Sequence, residues 1–291
     1  MGGVNEILNK LDNFEKDNLK KEQGIFEADC SFSNWPDNQT FNFAVNKLYH
    51  LTDVSDFSHQ EHSPLYDIFL NSTDKSIHKW HHYFPIYERH FSRFRNTKCV
   101  IVEVGVDNGG SLKMWKKYFG ERAEIHGIDI DPKCLKHQDP EHGIYVHIGS
   151  QDDDAFMRDL LSAIPKTDVF IDDGGHTVKQ QIKTFLSCYP LIGENGVYLC
   201  EDLHSNTHPA FYDAHWNFLD FSFKNAALLY AWYRKPYSFA GYMGDAIKDH
   251  RQNRTVAAVP LFTAITKGIH FYDSIVVYEK GHVCLPFAER R

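Results

Sequence analysis

Two short acidic stretches carry the residue types best able to do chemistry. One is Asp168-Val169-Phe170-Ile171-Asp172-Asp173-Gly174-Gly175-His176, the other Glu201-Asp202. In the first, the strand formers Val169, Phe170 and Ile171 run into paired carboxylates, two glycines and a histidine. Beyond it, Val178, Ile182, Phe185, Leu186 and Tyr189 recur at helical spacing. Asp172, Asp173 and His176 therefore belong to a strand-to-helix turn. In a parallel α/β sheet such a turn lies at the carboxyl edge, where ligands bind. Glu201-Asp202 ends the following strand. If the two strands are neighbours, Asp173, Glu201 and Asp202 converge. Crowded carboxylates repel unless a cation joins them, and oxygen ligands without cysteine favour Mg²⁺, with Mn²⁺ or Ca²⁺ as substitutes. The plainer alternative is that Asp173 and Asp202 cap helices. His176 suits a general base near neutral pH; its alternatives are a helix cap or a further ligand to the ion.

An earlier constellation points to a cofactor. Val100 to Ser111 reads Val-Ile-Val-Glu-Val-Gly-Val-Asp-Asn-Gly-Gly-Ser, so Gly105, Gly109 and Gly110 follow a strand and Ser111 opens a helix. Glycines there let the backbone approach a ligand closely. The spacing differs from the dinucleotide-binding Gly-x-Gly-x-x-Gly. Glu103, just before the turn, would repel a pyrophosphate and suits an amino-bearing ligand. Asp129 ends the next strand, where a carboxylate accepts from two ribose hydroxyls. Ser150 and Gln151 end the third, where an adenine would lie. A ribose, an adenine, an amino acid tail and no phosphate together describe S-adenosylmethionine (SAM). Asp172 is placed with these cofactor-binding residues. The competing reading is turn glycines and a capping aspartate.

Strand–helix alternation must position these groups. Strands are expected over 98–104, 124–130, 144–148, 168–171 and 197–200, with helices over 111–119, 153–164 and 177–192. The sheet order 3-2-1-4-5 would make the fourth and fifth strands neighbours. A closing β-segment with a turn is expected over 268–280. Residues 4–22 read as an amphipathic helix that packs on the domain or on a second copy of the chain, and 41–51 as a second helix. Thus 1–70 forms a helical extension and 71–281 the main domain. Within it, the aromatic-rich 203–260 forms a helical cover or substrate lid, and 282–291 is a tail. Four histidines at 78, 81, 82 and 90 raise a metal reading, with His78 and His82 one helical turn apart. A polar helix face is the alternative.

Bulk composition excludes some classes. A net charge of −8 lacks the basic footprint of a nucleic-acid binder. No apolar run is long enough to cross a membrane, and the first ten residues lack a signal-peptide core, so a cytoplasmic location is expected. The six cysteines form no Cys-x-x-Cys pair and read as reduced thiols.

Several motifs together resemble a known family. Thr73-Asp74-Lys75 with His78 and Tyr83 nearby is followed by Glu103-Val104-Gly105, Gly109-Gly110-Ser111-Leu112 and Met114-Trp115. Gly127-Ile128-Asp129-Ile130, Ile171-Asp172-Asp173-Gly174-Gly175-His176, Glu201-Asp202 and Phe271-Tyr272-Asp273-Ser274 complete the set. This pattern resembles the metal-dependent sugar O-methyltransferases of macrolide tailoring, the macrocin and mycinamicin type, a wider set also labelled cephalosporin hydroxylase. The resemblance covers residues 70–281. It implies a Rossmann-like class I methyltransferase sheet, Mg²⁺ (or Mn²⁺) held by Asp173, Glu201 and Asp202, His176 as base, and a small-molecule or glycan acceptor. Gly175 stands where the family often has serine, and Ser150 where it commonly has aspartate. Three other readings stay open: a methyltransferase acting on a phenolic, catechol or phosphoryl oxygen, a non-catalytic SAM-binding module, and a non-haem iron oxygenase using His204 and His208 near Glu201.

Overall fold

In the computed structural model the described residues are 62–73, 76–214, 216–231 and 260–284. The seven-stranded sheet has the order β3-β2-β1-β4-β5-β7-β6. Its strands are β1 (Val100–Val104), β2 (Glu124–Asp129), β3 (Ile144–Ile148), β4 (Val169–Asp172), β5 (Val197–Cys200), β6 (Thr266–Tyr272) and β7 (Ile275–Lys280). The first five run parallel, as the alternation predicts. Every residue of β1, β4 and β5 is buried, which is why these strands, Glu103 and Asp172 apart, are apolar instead of alternating. The expected closing β-segment is a hairpin, with β7 antiparallel to β5 and β6 antiparallel to β7.

The helices start and stop for local reasons. They are α1 (Pro64–Leu70), α2 (Phe84–Phe91), α3 (Gly110–Phe119), α4 (Asp154–Ala163), α5 (Val178–Cys188), α6 (Phe218–Leu228) and the short α7 (Leu261–Ile265). Thr177 opens α5 with a reciprocal capping box to Gln180, and Asp153 caps α4 through the N–H groups of Ala155 and Phe156. Helix α5 is shorter than expected. Pro190 follows it, and the chain tightens into a 3₁₀ turn over Tyr189–Leu191. Helix α2 begins only at Phe84, with a proline in its first turn. His78 and His82 are therefore not one helical turn apart. His81 instead meets the Tyr66 hydroxyl at 2.9 Å, and His82 lies 4.0 Å from Asp273.

An aromatic core joins α2 and α3. Tyr87, Phe91, Trp115 and Phe119 are fully buried and meet in edge-to-face, stacked and tilted pairs, as edge to face at 5.3 Å between Tyr87 and Trp115. Four described cysteines are buried free thiols and Cys284 is exposed. The helices expected over 4–22 and 41–51, and half of the expected lid (215 and 232–259), lie outside the described residues. No described helix is long and apolar enough to cross a membrane.

Candidate active site

The carboxyl ends of β1 to β4 open onto a cavity of about 420 Å³. Gly105, Gly110, Ser111, Asp129, Ser150, Gln151, Asp173 and His176 line it, together with His78 and Lys79. Gly105, at φ +96°, is required by geometry: a Cβ there would strike the backbone carbonyl of Asp173. Gly110 has the same role beneath Ser76, whose carbonyl a Cβ would meet, so the segment carrying Lys79 passes over the start of α3. Gly109, at φ +70°, is the left-handed N-cap of α3.

Asp129 is held in place from below. One carboxylate oxygen accepts from Val106 N at 2.9 Å and Asp107 N at 3.2 Å, the other from Asp131 N at 2.8 Å. Burial alone would raise its pKa. The three backbone N–H groups outweigh that and hold the carboxyl below the usual range. Lone pairs not used by the backbone remain for a ligand. Ser150 accepts from Asp152 N at 3.1 Å. Gln151 turns inward, donating to Asp172 at 3.2 Å and Thr184 at 3.0 Å while accepting from Gly175 N at 2.8 Å. It thus braces the turn that carries His176.

Two residues expected at the cofactor lie beneath the cavity instead of on it. Glu103 is fully buried. Its oxygens accept from Ser111 Oγ at 2.6 Å and Trp115 Nε1 at 2.9 Å. Asp172 is also buried and accepts from the Tyr198 hydroxyl at 2.9 Å; burial pushes its carboxyl up to about 7. Both brace the strands beneath the site.

The carboxylates at the ends of β4 and β5 do converge, but around an unexpected residue. The ammonium of Lys79 is buried among them, 2.6 Å from Asp173 Oδ2, 2.9 Å from Glu201 Oε2 and 3.8 Å from Glu103 Oε1. Burial would lower its pKa. The carboxylates of Asp173, Glu201 and Glu103 together hold it well above the ordinary lysine value. Burial pushes Glu201 up. Nothing local in the sequence flags Lys79, since its partners lie 94 and 122 residues away. Charge balance was the available signal, because so many acids at adjacent strand ends need a cation.

His176 faces the rest of the cluster. Its Nε2 lies 3.8 Å from Asp173 Oδ1 and 3.7 Å from Asp202 Oδ2. Asp202 accepts from the Tyr83 hydroxyl at 2.6 Å. His176 and Asp202 both sit at positive φ, +59° and +56°, a conformation uncommon for non-glycine residues, though His and Asp adopt it more readily than most, and one that their surroundings help to hold. For His176 those surroundings are Ser205 and Asn206, whose side chains donate to its backbone carbonyl at 3.2 and 3.3 Å.

The donor set fits a hard cation. Asp173, His176 and Asp202 offer ligand atoms within 4.8 Å of one another. Lys79 is a single positive charge among Glu103, Asp173, Glu201 and nearby Asp202, and Glu201 Oε1 is buried without a hydrogen-bond partner. That surplus of oxygen charge is what Mg²⁺ or Mn²⁺ neutralises. Glu201 differs from the other two acids in pointing inward at Lys79. His204 and His208 are engaged elsewhere, His204 with Ser274 and His208 with Ala210 N. Among the described residues neither histidine joins Glu201 in a group of ligating atoms, so the iron-oxygenase reading lacks its ligand set.

Known proteins resemble this chain in sequence and in fold. The chain is 31% identical over 210 residues to 8-demethyl-8-(2-methoxy-alpha-L-rhamnosyl)-tetracenomycin-C 3'-O-methyltransferase of Streptomyces olivaceus, covering 69% of this chain and 50% of that protein. It is 34% identical over 143 residues to demethylmacrocin O-methyltransferase of Streptomyces fradiae, covering 46% of this chain and 35% of that one. The chain is related to the macrocin- and mycinamicin-type sugar O-methyltransferases. It spans about half or less of the length of these curated relatives. No family model matches. Among solved structures, the mycinamycin-pathway methyltransferase MycE in complex with Mg and SAH superposes with a TM-score of 0.62 at 22% identity, over 77% of this chain and 56% of that one. That likeness establishes the class I methyltransferase fold.

Proposed function

We propose that this chain transfers the methyl group of SAM to a hydroxyl of a sugar, on a glycosylated small molecule, with Mg²⁺ or Mn²⁺ at the carboxylate cluster. The observation that carries the reading is His176 Nε2 facing Asp173 and Asp202, 3.8 and 3.7 Å away, at the edge of the glycine-lined cavity. MycE, solved with Mg, SAH and mycinamycin VI, has the same fold, and the named relatives are sugar O-methyltransferases.

When bound, SAM supplies an electrophilic methyl group and the divalent ion supplies positive charge that acidifies a hydroxyl. Asp173, Asp202 and Glu201 would hold the ion. Asp129, already fixed by three backbone N–H groups, receives the ribose hydroxyls. Gly105 and the turn at Gly174 bring the backbone up to the cofactor. His176 takes the acceptor proton at Nε2, and the carboxylates of Asp173 and Asp202 beside it stabilise the imidazolium. Lys79 keeps Asp173 and Glu201 together when the ion is away, and Tyr83 fixes the angle of Asp202. Residues 71–281 form the catalytic domain in this reading, with 203–260 closing over the acceptor.

The test is transfer of a labelled methyl group from SAM to a panel of rhamnosylated and other glycosylated polyketides, alongside catechols and free sugars. Label on a glycoside hydroxyl is expected, and label on catechol alone would overturn the acceptor assignment. A charge-assisted bond contributes roughly 1.5–3 kcal/mol, so Asp129→Ala should weaken SAM binding by at least about tenfold in calorimetry. Unchanged affinity would remove Asp129 from the cofactor site.

A further inference from the structure

Of the four histidines between 78 and 90, His90 finds metal-ligand company, and it does so away from the proposed active site. We propose that His90, His270 and Glu279 form a second divalent-metal site, of the Zn²⁺ class, that clasps the β6–β7 hairpin to α2.

The backbone brings the three together. In the hairpin Gly268 pairs with Glu279, His270 with Val277 and Tyr272 with Ile275. Opposed residues share a face and alternate residues repeat it, so His270 and Glu279 project to the same side. Helix α2 packs on that side and presents His90 from its last turn. Ligand atoms of the three residues lie within 4.8 Å of one another. His90 Nδ1 is 3.3 Å from Glu279 Oε1, and His270 Nε2 is 3.4 Å from Glu279 Oε2. Gly268, across from Glu279, has no side chain, and the space its Cβ would take borders His270 Nε2 at 3.5 Å and Glu279 Oε2 at 4.0 Å.

Three details fit a metal better than a hydrogen-bonded trio. First, His270 Nε2 is a buried atom whose approach to Glu279 Oε2, at 3.4 Å, does not make a well-directed hydrogen bond. Second, the Tyr272 hydroxyl meets His90 Nε2 at 2.9 Å. An outer partner on one ring nitrogen leaves the other, Nδ1, as the ligand, which is how metal-bound histidines are oriented. Third, His90 and Glu279 are already in their ligating forms. Burial, with neighbouring His270, holds His90 down at about 4. Burial works to raise Glu279, but His270 and His90 more than offset it and keep the carboxyl low. A neutral imidazole and an ionised carboxylate need shed no proton to bind. Two imidazoles and one carboxylate are borderline donors that suit Zn²⁺ better than Mg²⁺ and leave a position for water.

The location gives the clasp a role. Tyr83, at the other end of α2, holds Asp202, while Ser274 at the hairpin turn accepts from Leu203 N at 3.0 Å. Fixing helix to hairpin therefore fixes both supports of the loop that begins at Asp202.

The experiment uses the full chain, stripped of metal by chelator and dialysed, then titrated with Zn²⁺ in excess Mg²⁺. Bound zinc is counted by mass spectrometry, and Co²⁺ spectra report the ligand set. Wild type should bind about one Zn²⁺ with neutral-nitrogen and oxygen ligands. His270→Gln and Glu279→Gln, at partly exposed positions that leave the core intact, should lose it. Tyr272→Phe should weaken it by roughly 10–100-fold, the usual cost of losing an outer partner. Asp202→Asn should keep it. A wild-type chain that takes up no Zn²⁺, or one whose zinc survives His270→Gln and Glu279→Gln but not Asp202→Asn, overturns the proposal. That second result would put the zinc at the β4–β5 carboxylates and leave the methyltransferase reading standing.

Discussion

Two of the places where histidine meets carboxylate among the described residues differ in backbone and in charge. At the ends of β4 and β5, His176 and Asp202 are both held at positive φ, and Lys79 is one ammonium among several acids. At the back of the hairpin, His90 lies in a regular helix, His270 and Glu279 lie in paired strands beside a register shift between Thr266 and Gly268, none of the three is at positive φ, and a single carboxylate is shared by two imidazoles. Strain and surplus charge cost stability and persist where a reaction uses them. Regular backbone and balanced charge cost little and suit holding parts together. In the two proposals made above, the difference separates a site that turns substrate over from one that only grips.

The largest effect should come from emptying the strained site of its ion. Turnover in chelator should vanish and return with Mg²⁺, while SAM affinity measured by calorimetry changes little. Full turnover without divalent ions would erase the contrast. Next, His176→Ala should lower kcat by ~10²–10⁴-fold, the span of a lost general base, with SAM affinity retained. An unchanged rate would make His176 a spectator. Removing the ammonium should then expose the charge surplus directly. Lys79→Met leaves buried carboxylates unpaired and should cost about 3–5 kcal/mol in denaturant unfolding. A variant as stable as wild type would mean those acids are protonated in the folded state.

The smallest effect comes from a second histidine pair, which serves as a control. His126 and His147 stack on neighbouring strands with Nδ1 and Nε2 3.0 Å apart. Burial, then the neighbouring His147, lowers His126 to about 4. Its folded pKa is thus below the unfolded value of ~6.5, so between those two values the unfolded chain binds the extra proton. Stability should fall as pH falls through that window. The slope of Tm against pH should be shallower in His126→Gln, and equal slopes would show that the pair does not contribute.

Much of this was legible in the chain because it is local. Val169 to Ile171 running into Asp172-Asp173 marks a buried strand and its carboxyl end, and the order of β1 to β5 follows from the alternation. Asp129, Asp173, Asp202 and His176 could be placed because each stands at a strand end or one turn beyond it. Glu103 and Asp172 also stand at strand ends, yet their side chains turn below the cavity. Alternation says which residue ends a strand and leaves open which face its carboxylate takes. Lys79 and the trio of His90, His270 and Glu279 are invisible for a different reason. Their partners come from distant segments, and a pairing made by crossing elements leaves no period or motif to read.

Gly105 has a mechanical consequence. Its missing Cβ lets the turn after β1 rest on the backbone carbonyl of Asp173, so the two turns share one joint with no side chain to act as a cushion. Neither can shift without pushing the other. A change that reshapes the glycine turn therefore disturbs the acid cluster as well, and defects on the two sides of the cavity should be inherited together.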